Sequence, residues 1–82
     1  MQILKFFTPS CGQCKVVDKM LQDKGISYTS IDCSEDSAEV TYLCEKYHIS
    51  HVPQVVLIQD HSLVRTLHNL QEIKQWVTSA QI

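Results

Sequence analysis

Apolar residues along this chain follow two rhythms. Ile3, Leu4, Phe6 and Phe7 form a short, almost continuous run, the pattern of a strand covered on both faces, and only Lys5 interrupts it. From Cys11 the period changes. Cys14, Val17, Met20 and Leu21 recur at helical spacing, Lys19 and Lys24 place positive charge toward the helix end, and Gly25 supplies the left-handed residue that stops it. Ile26 to Asp32 alternates loosely through Tyr28, Thr29 and Ile31, which predicts a half-exposed strand near a sheet edge.

The second half repeats the contrast. Asp36 and Glu39 stand at capping-box spacing, and Val40, Leu43, Cys44 and Tyr47 then make an i, i+3, i+4, i+7 stripe that predicts a second helix. Val55 to Ile58, entered through Pro53, reads as a central strand. Asp60-His61 is the expected hairpin turn, although it lacks the glycine such turns favour, and Ser62 to Leu67 returns as an outer strand. Asn69 with Glu72 opens a terminal helix whose apolar face carries Leu70, Ile73, Trp76 and Val77.

The resulting order is βαβαββα, an α/β arrangement over one domain, 1–82, with no linker, repeat or low-complexity stretch. A right-handed βαβ crossover makes the first two strands parallel and a hairpin makes the last two antiparallel. The expectation is a four-stranded mixed sheet with helices on both faces.

Composition narrows the function classes. Seven basic and nine acidic side chains are scattered through 82 residues, so no basic patch suits nucleic acid and no nucleic-acid partner is expected. No apolar run approaches membrane-spanning length, and Gln2 to Phe7 lacks the build of a secretory signal. A cytoplasmic monomer is the expectation. A chain this short has no separate cofactor-binding domain, so the chemistry sits on the fold itself and no cofactor is expected. With an apolar content of 44%, the four cysteines read as catalytic or buried rather than as a disulfide framework.

Cys11 and Cys14 stand three positions apart where a strand gives way to a helix. A Cys-x-x-Cys pair in a βαβ setting reads as a redox motif, and the same pair can supply half of a metal site. Cys11 precedes the first helical turn, where free N–H groups and the dipole favour a thiolate, so it is the expected nucleophile. Cys14, one turn in, is the expected resolving thiol.

Cys11-Gly12-Gln13-Cys14-Lys15 after an apolar strand, joined to Tyr47-His48-Ile49-Ser50-His51-Val52-Pro53-Gln54 before the third strand, resembles the thioredoxin-like superfamily over essentially the whole chain. The resemblance implies a minimal thioredoxin fold and a thiol-disulfide oxidoreductase acting on protein disulfides, with a reductase or glutathione as electron donor. It further implies that Pro53 is a cis-proline facing the disulfide, that Val52 offers its backbone to an extended substrate, and that Gly12 and Gln13 border that substrate. The Cys-Gly-x-Cys-Lys motif and the Tyr47 to Pro53 segment are thioredoxin-like, whereas Lys24 to Tyr28 and Val52-Pro53-Gln54 are glutaredoxin-like. A glutaredoxin-like, glutathione-dependent reductase is therefore the alternative, with a zinc-binding domain a third reading.

Several positions depart from both patterns. Where thioredoxins carry a tryptophan before the first cysteine, a proline before the second and a buried aspartate six residues upstream, this chain has Ser10, Gln13 and Lys5. Arg65 to Gln71 has neither the Gly-Gly nor the acidic pair with which glutaredoxins hold glutathione. Lys5 itself reads as a catalytic cation or, more simply, as a snorkelling strand residue. Cys33 and Cys44 read as structural, Cys44 lying on the apolar stripe of its helix, with a second redox pair the alternative, and His51 reads as a surface histidine near the site. Trp76 reads as core.

Overall fold

The first strand, β1 (Gln2–Phe7), is sealed on both faces, Ile3 to Phe6 all being buried. A computed structural model describes residues 1–79 and places β1 inside a four-stranded sheet of order β2-β1-β3-β4, where β2 is Thr29–Asp32, β3 Gln54–Gln59 and β4 Ser62–Leu67. β1 runs parallel to β2, and β3 runs antiparallel to both β1 and β4. The expected mixed sheet is thus formed, with β1 and β3 at its centre.

Helices α1 (Gly12–Asp23) and α3 (Leu70–Ser79) cover one face. There Val17, Leu21, Ile73 and Val77 pack with Ile3, Val55, Leu57 and Leu67, and Trp76 is half-buried against the same cluster. Helix α2 (Ala38–Lys46) covers the other, where Leu43, Cys44 and Tyr47 lie over Leu4, Phe6, Val56 and Ile58. Each fully buried side chain of this size contributes about 1.5–3 kcal/mol, and β1 and β3 supply half of the buried apolar side chains.

Helix ends follow local chemistry. At the end of α1, Gly25 has φ 68°, its N–H donates to Gln22 C=O at 3.0 Å, and the Ile26 N–H donates to Leu21 C=O at 3.0 Å. This is a Schellman stop, closed by contact between Ile26 and Leu21 in the core. Ile26 therefore ends a helix rather than starting a strand, and β2 is shorter than the alternation suggests. Lys24 is the C-cap, so its charge stands at the end of α1 as expected, while Lys19 lies before the last turn, which itself holds no basic residue.

At α2 the cap is Ser37, whose Oγ accepts the Val40 N–H at 3.1 Å, so the Asp36–Glu39 capping box is not formed. The hydroxyl competes successfully one residue further on, and Glu39 instead sits in the first turn, where its charge suits the dipole. At α3 the Asn69 half of the expected box forms, while the Glu72 side chain reaches one residue further back, to His68 rather than to Asn69. Asn69 Oδ1 accepts the Glu72 N–H and Glu72 Oε1 accepts the His68 N–H, both at 2.9 Å.

The Asp60-His61 hairpin closes in two residues, both with positive φ, 54° and 64°. That pattern belongs to a type I′ turn, which prefers glycine second. The β3–β4 register also shifts between Leu57 and Ile58, leaving Val64 as an extra residue in β4. His61→Gly removes a Cβ from a left-handed position, and the gain, net of greater freedom in the unfolded chain, is roughly 0.5–1 kcal/mol. The expected result is a higher urea midpoint with unchanged slope; an unchanged or lower midpoint contradicts the turn assignment.

Candidate active site

Pairing of β1 with β3 sets Phe6 opposite Gln54, so the chain leaving β1 and the chain entering β3 meet at one end of the sheet. The Cys11 N–H donates back to Thr8 C=O at 3.1 Å, and this turn delivers Cys11 to the start of α1. Cys11 is the helix N-cap, with extended backbone (φ −85°, ψ 106°), and its Sγ accepts the Cys14 N–H at 3.1 Å. A sulfur in this position is stabilised as an anion by the helix terminus.

Cys11 and Cys14 are joined as a disulfide with Cα atoms 5.3 Å apart. Their exposure differs. Cys11 is half-buried and Cys14 only 2% exposed, while Gly12 and Gln13 are exposed between them. The Val52–Pro53 peptide bond is cis, Pro53 is buried and Val52 half-buried. The side chains around it bind the start of α3: the His51 ring meets the His68 carbonyl, and Gln54 Nε2 lies 3.3 Å from His68 Nδ1. His51 is accordingly a tie between two loops.

Lys5 neither snorkels nor points free charge at the sulfurs. Its side chain is 2% exposed, its Nζ is bonded to Asp18 Oδ1, and it lies 4.5 Å from the Phe7 ring centre and 5.7 Å from that of Tyr28. The β1 face that carries Ile3 and Lys5 looks toward α1, so the ammonium has no route to water. Tyr28 Oη donates to Asp18 Oδ1 at 2.8 Å and itself accepts from Gln22 Nε2 at 3.2 Å. Partial burial works against the Asp18 charge, but the bonds from Lys5 and Tyr28 and the Lys5 charge outweigh it and hold the carboxyl below its ordinary value. For Tyr28, burial and the neighbouring Asp18 raise the phenol pKa, opposed by the bond from Gln22.

Asp18 is the residue that sequence reasoning missed. It sits four positions after Cys14 on α1, one turn along the same face. The carboxylate absent from β1 is thus supplied by α1, paired with the cation that replaced it. Lys5 inside an apolar strand was the available signal, since a buried cation calls for an anionic partner.

Cys33 and Cys44 are not sealed in the core as expected. Both are half-buried and free, with their sulfurs 3.8 Å apart. Among the described residues, no group of three or more histidine, cysteine, aspartate or glutamate side chains is arranged to hold a metal ion. No helix among them is long and apolar enough to cross a membrane.

A four-stranded mixed sheet with three helices and a close Cys-x-x-Cys pair at a helix start defines a thioredoxin-like protein. A family model described as Glutaredoxin matches residues 3–62, most of the chain, and the chain belongs to that family. Among solved structures, the fold is similar to a mutant thioredoxin from Halobacterium salinarum (TM-score 0.74, 21% identity, 93% of this chain and 67% of that one). It is also similar to oxidised thioredoxin from Plasmodium falciparum (TM-score 0.70, 25% identity, 93% and 76%). Oxidised mitochondrial thioredoxin 3 from Saccharomyces cerevisiae matches with TM-score 0.68 at 17% identity, over 96% and 77%. No curated protein matches the sequence. Family and cysteine pair together support a thiol oxidoreductase-like function.

The ion pair predicts an asymmetry. Asp18→Ala strands a buried ammonium and is expected to cost about 3–5 kcal/mol. Lys5→Met fills the same space with an apolar chain and leaves a carboxylate that is about one-third exposed and still bonded to Tyr28, so its cost is expected to stay below about 1.5 kcal/mol. Urea unfolding of both variants checks this; equal losses contradict it. Because the folded Asp18 pKa is depressed, its stabilisation is present above the unfolded value of about 3.9 and fades as pH falls through the folded one. Asp18→Asn is therefore expected to flatten that part of the stability profile.

Proposed function

We propose that this protein is a thiol-disulfide oxidoreductase that reduces or exchanges protein disulfides in the reducing environment of the cytoplasm. The observation that carries the reading is the unequal setting of the two sulfurs. Cys11 caps a helix and takes an N–H bond on its sulfur, whereas Cys14 is almost fully buried one turn in. Accessible and anion-stabilised, Cys11 attacks; enclosed and adjacent, Cys14 resolves.

In the reduced protein the Cys11 thiolate attacks one sulfur of a substrate disulfide. That S–S bond breaks, its other sulfur leaves as a thiolate and takes up a proton, and a mixed disulfide joins Cys11 to the substrate. Cys14, losing its proton, then attacks Cys11 Sγ, the substrate sulfur leaves as the second thiol, and the Cys11–Cys14 disulfide remains. Two electrons have passed to the substrate. A reductase or glutathione returns them.

Gly12, Gln13, Val52 and Pro53 are proposed to border the substrate. The first two are exposed between the sulfurs, and the other two lie on the loop that enters β3 at the end of the sheet from which β1 leads toward Cys11. A glutathione-dependent reductase is the second reading, favoured by the Glutaredoxin match. That match ends at residue 62, before Arg65 to Gln71, where no Gly-Gly or acidic pair offers glutathione the usual hold.

One trapping experiment tests both. Cys14→Ser retains the attacking sulfur and lacks the resolving one, so in cell extract it is expected to accumulate reductant-sensitive protein adducts, with Cys11→Ser giving almost none. Adducts of glutathione alone support the second reading. Equal trapping by both variants removes Cys11 from its role, and no trapping by either, with zinc copurifying with the wild type, overturns the redox function. Thiolate absorbance provides an independent check: Cys11 is expected to ionise below about 8.5, the ordinary thiol value.

A further inference from the structure

Cys33 directly follows β2, and its N–H donates to Phe7 C=O at 2.8 Å, which fixes it beside the end of β1. Cys44 lies on α2, and its carbonyl accepts the Ile49 N–H at 2.9 Å, on the segment that leads to Val52 and Pro53. The two sulfurs lie 3.8 Å apart. A disulfide needs about 2.05 Å, so closure requires a shift of under about 2 Å, within reach of small side-chain rotations.

The pair is also open to small molecules. Two grooves, of about 580 and 360 Å³, both include Cys33, Cys44, Ile49 and Ser50 in their walls. The smaller one reaches Thr8 and Val52, and so adjoins the active site. Two cysteines sealed in the core would not line both grooves.

We propose that Cys33 and Cys44 form a second redox site, which closes to an intramolecular disulfide by exchange with low-molecular-weight disulfides. Burial, with the Cys44 contact and the Asp32 charge adding to it, pushes the Cys33 thiol up to about 12, so Cys33 is assigned the resolving step. Cys44 gives up its proton and displaces one half of the small disulfide, which leaves as a thiol carrying a proton. Cys33 then attacks Cys44 Sγ, and the second half leaves as a thiol with the proton from Cys33. Two protein thiols are oxidised and one small disulfide is reduced to two thiols.

The wild-type chain contains its own readout. Trypsin cuts after Lys5, Lys15, Lys24 and Lys46, so residues 6–15 carry Cys11 and Cys14 while residues 25–46 carry Cys33 and Cys44. Reduced protein is incubated with hydroxyethyl disulfide, remaining thiols are blocked with N-ethylmaleimide under denaturing conditions, and the digest is weighed by mass spectrometry. The expected 25–46 peptide is lighter by two hydrogens and carries no maleimide. In Cys44→Ser it is expected instead to carry one maleimide or one mercaptoethanol adduct on Cys33.

Peptide 6–15 reports the Cys11–Cys14 pair separately, so failure of one site is distinguishable from failure of the other. Two maleimides, or two persistent mercaptoethanol adducts, on peptide 25–46 of the folded wild type would overturn the second site. Disulfide-linked dimers through Cys33 or Cys44, in place of the internal ring, would overturn it as well.

Discussion

Pairing of β1 with its two neighbours is the constraint on which the sulfur-bearing end of the molecule depends. Phe6 opposite Gln54 brings the start of β3 to the end of β1, and Phe7 opposite Asp32 brings the end of β2 to the same place. Three chain segments therefore emerge together: one carries Cys11, one Cys33 and one the cis Val52–Pro53 bond. A slip of one residue in either pairing would turn Leu4 and Phe6 toward the wrong helix layer and move these segments apart. Burial of β1 on both faces is what holds that register.

Placing Lys5 in the same strand carries a cost, since an ammonium out of water is tolerated only with a close partner. Asp18 answers from α1, with Tyr28 completing its hydrogen bonds. The layer beneath the cysteine pair thus contains one cation, one carboxylate and a phenol in place of an all-apolar packing. The carboxylate sits one helical turn from Cys14 and retains its charge because Lys5 and Tyr28 hold it there. Electrostatics and helix docking are joined in one contact.

Elements governed by local rules were legible from sequence. The helix stripes, the Gly25 stop, the Asn69–Glu72 cap and the two-residue hairpin depend on neighbours a few positions apart, and periodicity reports those directly. Choices between adjacent capping groups were less legible, as at Ser37, because an aspartate and a serine one position apart offer nearly equivalent acceptors. Contacts across the fold left weaker traces. Lys5 with Asp18 and Cys33 with Cys44 are separated by 13 and 11 positions, and each depends on how a helix docks on the sheet. The oddity of Lys5 announced that a partner was needed but not which one. Cys44 matched the apolar stripe because α2 does face the sheet, yet half-burial on a short helix left its sulfur reachable.

The irregularity in β4 has a consequence beyond the chain itself. β4 is an outer strand, with Leu63 and Val64 exposed by 53% and 55%. A flat apolar edge of this kind would be a template for strands of other molecules, and stacking of copies along it would begin aggregation. The extra residue at Val64 interrupts the spacing of free N–H and C=O groups midway along the strand, and Arg65 adds an exposed charge beside it. An incoming strand finds no continuous ladder to extend, so the open border of the sheet is a poor seed for fibres.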